Sequence, residues 1–590
     1  MSHFGLILAC IVSIPLNIIL LFSVFMGMLD AYRREISKIF KKEGLVVPVE
    51  VIEEPKSKEH GDLAVPCFQF AKEFKKSPQA IAEELKDKLK LSKEFLKVEN
   101  AGPYLNFFID YKKIAKEFLS RINTKKEKFA SGAVKRKKKV MIEFCSPNTN
   151  KPLHLGHLRN MVLGESMYSI MDYMGDDVVK SCLVNDRGVH ICKSMLAYDL
   201  WGNGVTPKDA KKKGDHLVGD FYVKYSEHED DELESKVKEM LQHWEEGDKK
   251  VIDLWKRMNR WVLEGFEETY KKIGVSFDKL YYESELYDKG KEMIMDAYKK
   301  GKFIEKDGAI IAQLEEYGLP DKVLIRSDGT TIYMTQDIYL ATKKIEDYGL
   351  DSSIYVVGSE QDLHFKQLFR ILAILGYKQA DRCFHMSYGM VNLPEGKMKS
   401  REGTVVDADD LLEKLHEMAR HEVYTRDPSL AREEANSRAM KIALAGLKFY
   451  LAKQDPVKDM TYDPKASISF EGETGPYVQY TIVRIWSIMS KSETGYTTKV
   501  NLDRLEAEEL DLVSFMIRYE DVLEQAYEKM RPNLIANYLI ELSQRFNAYY
   551  HDTKIINTGM EKERLYLIRA LSIILSSGLS LLGIEVPEKM

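Results

Sequence analysis

The chain has 590 residues, of which 44% are hydrophobic and 30% are charged, and its formal net charge is −5. This balance excludes a disordered protein and is typical of a soluble globular protein with about three or four domains. The acidic total also argues against a protein that coats DNA, so any contact with nucleic acid must come from local basic patches.

Residues 1–27 form a hydrophobic segment without charged residues after Phe4. The segment is long enough to span a bilayer, and it lacks the basic region and cleavage site of a secretory signal. Because basic residues follow it, an anchored protein would leave its remainder in the cytoplasm. The alternative is an over-extended start, with Met28 as the true first residue. Membrane contact is therefore expected only if residues 1–27 are translated.

Residues 28–125 are predicted to form a small α+β domain. Its predicted elements are a helix over Asp30–Lys42, an extended run over Val46–Ile52, a helix over Ile81–Leu89 and a strand over Tyr104–Ile109. The basic run at residues 135–139 follows and is interpreted as a solvated linker.

Residues 139–410 alternate strands with helices, which predicts a parallel, doubly wound, Rossmann-like sheet of the α/β class. The predicted strands are Val140–Cys145, Val178–Val184, Ile354–Val357 and Cys383–Met386. A polar helical stretch at about 204–302 is interpreted as an insertion in this domain. After about Asp407 strand alternation is absent, so residues 411–590 are predicted to form an all-α C-terminal domain.

The strongest motif, Lys151-Pro-Leu-His154-Leu-Gly156-His157, lies between the first strand and the first helix of the sheet domain. The N-terminus of that helix offers unpaired N–H groups to a phosphate, and the glycine lets a nucleotide approach the backbone. Two histidines there can donate hydrogen bonds as charge develops at the α-phosphorus. In this strand–loop–helix context the motif predicts nucleotide binding.

A second motif, the basic loop at residues 396–406, lies far downstream. Its candidate ATP-binding residues are Lys397, Met398, Lys399, Ser400 and Arg401. Alone, such a loop is more often a solvated surface loop. Its pairing with an upstream HxGH favours a loop that closes over the pyrophosphate of ATP.

At these two motifs the chain resembles class I aminoacyl-tRNA synthetases, and the wider sequence resembles the arginyl-tRNA synthetase family. The segments that carry the resemblance are His60–Ala64, Gly102–Asn106, Ile142–Asn148, Lys151–Arg159, Ser327–Asp337, Gly358–His364, Phe470–Tyr480, Gly578–Ile584 and Pro587–Met590. They follow the family's order and span essentially everything after Met28.

The resemblance implies an arginine–tRNA ligase that activates arginine with ATP and transfers it to the 3′-terminal adenosine of tRNA(Arg). It implies that ATP enters with Mg²⁺ and that tRNA must bind before arginine is activated. The six cysteines form no CxxC pair, so no tightly bound protein metal is expected, and they fit a reducing, cytoplasmic compartment. A monomer is the default expectation.

The resemblance also implies roles for individual positions. Glu143 and Asp337 match the carboxylates that hold the charged groups of arginine, whose guanidinium is well met by carboxylates. Their implied polar neighbours are Ser146, Asn148, Tyr333 and Gln361. The implied tRNA-binding residues are Asn106, which matches a D-loop contact, and Tyr477 and Gln479, at the start of the anticodon-binding domain. An aromatic at this start could stack on an unpaired base or belong to the core.

One departure concerns the basic loop, which has Ser400 at the place of the usual second lysine. Lys151 or Lys399 could supply the missing charge. The competing interpretations are another class I synthetase of the glutamyl or lysyl type, a catalytically inactive tRNA-binding paralogue and a small-molecule nucleotidyltransferase. The Glu143/Asp337 pair argues against an acidic amino acid, and the retained HxGH argues against an inactive paralogue.

Overall fold

The N-terminal region of the computed structural model is a small α+β unit; the structure describes residues 27–134, 136–392, 394 and 406–590. Its elements are α1 (Met28–Lys42), β1 (Leu63–Pro66), α2 (Ala71–Phe74), α3 (Pro78–Lys88), β2 (Phe95–Ala101), β3 (Tyr104–Ile109) and α4 (Tyr111–Lys125). The strands form an antiparallel sheet in the order β1-β3-β2. The helix α1 buries the apolar stripe that predicted it, including Tyr32, Ile36 and Phe40. The small α+β fold is confirmed.

The extended run predicted over Val46–Ile52 is wrong in its centre, because Val49–Val51 forms a short 3₁₀ turn after Pro48. The fixed φ of proline suits entry into a turn, and its missing N–H removes a donor from any strand.

The central region contains the predicted parallel sheet. Its strands are β4 (Lys139–Glu143), β5 (Asp177–Val184), β6 (Lys279–Tyr282), β7 (Ile304–Lys306), β8 (Ala309–Ala312), β9 (Lys322–Ile325), β10 (Ser352–Gly358), β11 (Phe384–Tyr388) and β12 (Val391–Asn392). Five of them are parallel in the order β11-β10-β4-β5-β6, and β7, β8 and β9 form a separate antiparallel sheet. The chain starts at β4 in the middle, runs outward to β6, and returns to the other side at β10. The doubly wound fold is therefore confirmed, with its switch point between β4 and β10.

Helices cover this sheet and continue the chain into a helical stretch. They are α5 (Leu155–Met174), α6 (Val189–Trp201), α7 (Pro207–Ala210), α8 (Gly214–Glu227), α9 (Asp231–Glu245), α10 (Lys249–Ile273), α11 (Glu283–Lys299), α12 (Tyr333–Tyr348) and α13 (Asp362–Leu375). The predicted helical insertion at about 204–302 needs correction, because it contains β6, an edge strand of the main sheet. With four residues and a lysine at its start, β6 is too short to show an alternating pattern.

The C-terminal region is helical. Its elements are α14 (Ala408–Arg426), α15 (Arg432–Lys453), β13 (Met460–Thr461), α16 (Pro464–Ser467), α17 (Gly475–Ser490), α18 (Ala507–Met516), α19 (Tyr519–Glu528), α20 (Asn533–Asp552) and α21 (Glu561–Leu581). The two-residue β13 pairs with β12, so a strand contact joins the two sides of the boundary predicted at residue 410. Within the described ranges, α21 alone is long and apolar enough to cross a membrane, but 72% of its apolar window is buried inside the protein, as in a core helix.

The N-terminal unit docks on this helical region. The carboxylate of Asp521 in α19 accepts hydrogen bonds from the backbone N–H groups of Leu29 and Asp30, each at 3.3 Å. Arg121 of α4 pairs with Glu520 at 2.5 Å. Since α19 caps the first turn of α1, the two regions hold each other in place.

Candidate active site

The candidate site lies at the carboxyl edge of the five-stranded sheet. Parallel strands bring their carboxyl ends to one edge, and ligands bind there at the switch point of a doubly wound sheet. The residues at or just after these ends are Glu143 of β4, Asp186 after β5, Glu283 after β6, Gln361 after β10 and Tyr388 of β11. The HxGH loop follows β4 directly, so the predicted motif residues share this edge.

The two motif histidines form a capping box at the start of α5. The Nδ1 atom of His154 accepts a hydrogen bond from the Gly156 N–H at 3.1 Å, and His157 Nδ1 accepts one from the His154 N–H at 3.1 Å. A nitrogen that accepts carries no proton, so the proton of each neutral ring sits on Nε2. Burial lowers the pKa of His154 to about 4 and that of His157 well below its ordinary value, with Lys151 adding to both effects. Both histidines are therefore neutral Nε2–H donors.

Gly156 is required by close packing in this motif. A Cβ at this position would meet His154 Cε1 at 2.9 Å and Nδ1 at 3.0 Å, so a larger residue would displace the ring. Burial lowers the pKa of Lys151, the cation of the motif. The motif thus presents one cation and two neutral donors at a helix N-terminus, which suits a phosphate.

Asn160, a residue that the sequence did not single out for a role, fixes the loop between β4 and the motif. Its Oδ1 accepts from the Cys145 N–H at 2.5 Å, and its Nδ2 donates to the Val356 carbonyl of β10 at 2.7 Å. The backbone of this loop is strained, with φ of +77° at Cys145 and +46° at Ser146. Asn160 therefore spans the switch point and holds a left-handed turn that non-glycine residues rarely adopt.

The two predicted arginine-binding carboxylates each have a partner. Glu143 is 6% exposed and forms an ion pair with Lys344, which is fully buried. Asp337 lies one turn into α12, and its Oδ2 is 2.7 Å from His364 Nε2. Lys344 and His364 were not predicted as site residues, although His364 ends one of the segments that carry the resemblance.

Two further carboxylates at the same edge were missed. Burial, with a smaller contribution from the neighbouring Asp186 and Asp337 carboxylates, raises the pKa of Glu283 to about 7. Burial also raises the pKa of Asp186, which accepts hydrogen bonds from Ser284 N at 2.9 Å and Oγ at 2.8 Å. Asp186 follows β5 and Glu283 follows the short strand β6, and Glu283 was overlooked because β6 itself was.

The remaining predicted pocket residues lie at this edge but are less enclosed. Tyr333 is 74% exposed at the first position of α12, one turn from Asp337, so the two lie on one face. Gln361 is exposed in the 3₁₀ turn Ser359–Gln361, and Asn148 is exposed in the loop. Among the described residues, no hydrogen bond joins them to Glu143 or Asp337.

The basic-loop residues Lys397, Met398, Lys399, Ser400 and Arg401 lie outside the described residues. The flanks of the loop are described and approach the HxGH motif. On one side the fully buried Arg159 donates to the carbonyls of Gly389 at 2.6 Å and Met390 at 3.0 Å. On the other side the Leu155 N–H donates to the Val406 carbonyl at 3.0 Å. Both ends of the loop are thus held by the first turns of α5.

A cluster beside this loop, formed by Asp215, His216 and Asp409, has the donor spacing of a metal site. Its central carboxylate already has cationic partners, because Lys213 donates to Asp409 at 2.5 Å and Lys272 at 2.7 Å. Although burial alone would raise the pKa of Asp409, these hydrogen bonds hold it well below its ordinary value. The cluster is an ion-pair network that joins α8, α10 and α14.

The predicted tRNA-binding residues are largely enclosed. Asn106 lies in the central strand β3 and is 3% exposed. Gln479 is fully buried, and its Nε2 donates to the carbonyls of Glu585 at 2.5 Å and Lys441 at 3.3 Å. The Tyr477 hydroxyl accepts from Asn547 at 2.9 Å. Gln479 thus links the C-terminal segment at Glu585 to the helix that contains Lys441, and it does not face solvent.

An arginine–aromatic surface beside these residues was missed; it consists of Tyr480 and Arg484 of α17, Arg426 of α14, Tyr550 of α20 and Phe470, which precedes α17. The Arg426 guanidinium carbon lies 4.1 Å from the Phe470 ring centroid, and that of Arg484 lies 4.7 Å from the Tyr480 centroid. A hydrogen bond from Arg484 lowers the pKa of Tyr480. Guanidinium groups on accessible rings are suited to stacking on unpaired bases and to meeting phosphates.

Three family models match successive parts of the chain. They are described as "Arginyl tRNA synthetase N terminal domain" over residues 29–109, "tRNA synthetases class I (R), catalytic domain" over 119–463 and "DALR anticodon binding domain" over 478–590. The catalytic match spans more than half of the chain.

Curated relatives match over nearly their whole length. The arginine–tRNA ligase of Treponema denticola is 44% identical over 564 residues, covering 92% of this chain and 96% of the relative. That of Porphyromonas gingivalis is 43% identical over 560 residues, covering 90% and 94%. The solved structure of Thermus thermophilus arginyl-tRNA synthetase superposes with a TM-score of 0.82 at 28% identity, covering 95% of this chain and 100% of that one.

Proposed function

The chain belongs to the arginyl-tRNA synthetase family and is an arginine–tRNA ligase, and we propose that its reaction centre lies at the carboxyl edge of the five-stranded sheet. The observation that carries this proposal is the convergence of the HxGH donors with the carboxylates of Glu143, Asp337 and Glu283 at one edge. A phosphate-binding helix start and a carboxylate pocket side by side suit a nucleotide and a cationic amino acid.

In the first step a carboxylate oxygen of arginine attacks the α-phosphorus of ATP, which enters as its Mg²⁺ complex. The bond between the α-phosphorus and the bridging oxygen breaks, leaving arginyl-adenylate and pyrophosphate. The Nε2–H groups of His154 and His157 donate to the phosphate oxygens as charge develops, and Lys151 adds positive charge. Lys397 and Arg401 of the basic loop meet the leaving pyrophosphate, and Met398, Lys399 and Ser400 complete the loop. Lys151 supplies the positive charge of the usual second loop lysine, whose place is taken by Ser400 in this chain.

The guanidinium and α-ammonium groups of arginine are held by carboxylates. Glu143 and Asp337 are the two carboxylates proposed for this role, and Glu283 adds a third. The polar residues that complete this pocket are Ser146, Asn148, Tyr333 and Gln361. Guanidinium recognition by several carboxylates is geometrically selective, because lysine presents a point charge instead of a planar fork.

In the second step the 2′-OH of the terminal adenosine of tRNA attacks the activated carbonyl, and AMP leaves. No protein nucleophile takes part, so catalysis consists of positioning and charge stabilisation. From the membership of the arginyl-tRNA synthetase family we infer that tRNA must be bound before arginine is activated.

The tRNA contacts extend over all three regions. Residues 28–125, with Asn106, bind the tRNA elbow, and the helical region binds the anticodon loop. The arginine–aromatic surface around Tyr480 and Arg484 meets the unpaired anticodon bases, with Tyr477 and Gln479 supporting it from beneath. The catalytic region extends beyond residue 410 and includes β13. The pairing of β13 with β12 favours this limit.

The enzyme acts as a cytoplasmic monomer that supplies arginyl-tRNA to translation. Residues 1–26 lie outside the described residues. Expressing full-length and Met28-start forms and comparing their membrane fractions distinguishes an anchor from an over-extended start. Recovery of only the full-length form in membranes supports an anchor.

The deciding experiment is aminoacylation by the Met28-start form with ATP, Mg²⁺, total tRNA and each of the twenty amino acids. The arginine assay is repeated as pyrophosphate exchange with and without tRNA. Charging with arginine alone, and exchange only with tRNA, is the expected result. Charging with another amino acid would overturn the pocket assignment. Binding of tRNA without charging would indicate the inactive paralogue.

A further inference from the structure

The Lys344 side chain is enclosed beneath the candidate arginine pocket. It is fully buried, and its Nζ pairs with Oε2 of Glu143 at the end of β4. Two aromatic rings flank the ammonium group: the centroid of Tyr355 in β10 is 5.0 Å away and that of Tyr281 in β6 is 5.5 Å away. A carboxylate and two rings thus surround one cation, which is the arrangement that stabilises a desolvated charge.

The helix α12 aims Lys344 and Asp337 at the same region. The two residues are seven positions apart, which is two helical turns, so they lie on one face of the helix. Asp337 is near the open end of this face and Lys344 is at its buried end. The helix that provides one carboxylate of the pocket therefore also provides the cation that holds the other.

An ionised carboxylate in such a buried place needs a partner. Without one, desolvation raises its pKa and the group takes up a proton, which removes its attraction for a guanidinium. Lys344 supplies this partner at Oε2 of Glu143. No described residue donates a hydrogen bond to its Oε1, which leaves that oxygen for a ligand.

We propose that Lys344 is a positioning residue for arginine recognition: it keeps Glu143 ionised and fixed in one orientation, so that the free oxygen meets the substrate. This inference rests on the proposed role of Glu143 in the arginine pocket. Lys344 itself does not touch the substrate. Its effect is on the affinity for arginine, and the chemistry at the α-phosphorus is unchanged.

The first test is Lys344→Met, which keeps the length of the side chain and removes its charge. We expect the KM for arginine to rise by about 30-fold or more, because a buried partner of an ion pair is lost. The KM values for ATP and tRNA, and kcat at saturating arginine, should change by no more than about twofold. Equal losses for all three substrates, or an unchanged arginine KM, would overturn the proposal.

Two comparison variants separate this role from a structural one. Lys343→Met is the matched control, since Lys343 is the adjacent residue and pairs with Asp347 on the surface; no change in KM is expected. Lys344→Arg keeps the charge and should restore most of the arginine affinity. If Lys344→Arg raised the arginine KM as much as Lys344→Met, charge would not be the cause and the proposal would fail.

The pH profile gives a second readout. The other titratable groups that face the pair are Cys182, Tyr281, Asp337, Tyr355 and Cys383. Burial raises the pKa of both phenols and both thiols, so these four groups stay neutral between about pH 6 and pH 9. In Lys344→Met the arginine KM should therefore fall as the pH rises and Glu143 loses its proton. The double variant E143Q/K344M, which has no such proton, should lose this added dependence and keep only the one it shares with the unaltered enzyme, including the titration of Glu283 near pH 7.

The variant Glu143→Gln distinguishes failure of this inference from failure of the proposed pocket. If Glu143→Gln leaves the arginine KM unchanged, Glu143 does not hold the substrate and the pocket assignment is wrong. If Glu143→Gln raises the KM while Lys344→Met does not, only the role of Lys344 is wrong. If Lys344→Met fails to fold, the same comparison is made between Lys344→Arg and the double variant E143Q/K344M, in which both charges are absent. Thermal stability and the arginine KM are measured for both variants.

Discussion

The carboxyl edge of the sheet and the start of α17 both contain motif residues with predicted roles. The two regions differ in where the fold places these residues. At the sheet edge the described motif residues lie close to the strand ends, because parallel strands end together and the loops that follow them converge. On α17 the predicted tRNA-binding residue Gln479 is buried, while its neighbour Tyr480 is partly exposed.

The difference follows from geometry. A motif at the end of a parallel strand has its location set by the sheet, whichever way individual side chains point. On a helix adjacent side chains point about 100° apart, so one residue of a motif can face the core while the next faces solvent. Sequence matching alone therefore locates a strand-end site more reliably than it locates a helical surface.

The largest effect is expected at the sheet edge. His157→Ala should lower the rate of arginine activation by about 100- to 1000-fold, because a donor to the developing charge is lost, while arginine binding changes little. Pyrophosphate exchange in the presence of tRNA and equilibrium arginine binding measure the two quantities. His228→Ala, at the exposed position directly after α8, is the control. Equal losses in rate and affinity would contradict the assigned role.

The arginine–aromatic surface should give the next largest effect. Arg484→Ala should raise the KM for tRNA by about 10-fold and leave the KM for arginine and ATP unchanged, since a base-stacking platform loses its cation. Steady-state aminoacylation measures these constants. Arg545→Ala is matched, because Arg545 also lies over a ring, 4.4 Å from Phe515, but is paired with Asp511 and Glu541. A similar loss in both variants would place the anticodon contact elsewhere.

Gln479 should behave as a core residue. Gln479→Leu leaves the Glu585 and Lys441 carbonyls without their donor and should cost about 1–3 kcal/mol of unfolding free energy. The tRNA KM of the folded protein should not change. Urea unfolding and aminoacylation test the two statements, and a raised tRNA KM at unchanged stability would show that Gln479 binds RNA directly.

The smallest effect concerns pH. Because both motif histidines are neutral in the folded protein, neither should contribute an ionisation near pH 6.5 to the pH profile of the activation rate. His154 has a folded pKa of about 4, below its ordinary value of 6.5. Above pH 6.5 it therefore has no effect on stability. As the pH falls from about 6.5 towards 4, the unfolded state binds a proton at His154 that the folded state does not bind. The free energy of unfolding therefore decreases over this range. His154→Asn, which keeps a capping residue, should lose less stability over this range.

Much of the fold was predictable because its signals are local. The apolar runs of β4 and β5 and the helical stripe of α1 are visible in short windows, and the order of strands and helices predicts a doubly wound sheet. The strand β6 was missed, and Glu283 with it, because four residues are too few to show a period. The 3₁₀ turn at Val49–Val51 depended on a single proline.

The sequence by itself determined the class of the enzyme, the parallel sheet and the edge at which the candidate site lies, since motif order and local periodicity are properties of the chain. Only the tertiary structure decided which partners the charged residues have. Lys344 is 201 residues from Glu143, and Gln479 is 106 residues from Glu585. Such pairings are made by packing between distant segments. Burial then determines whether a polar group binds a substrate or another group of the protein.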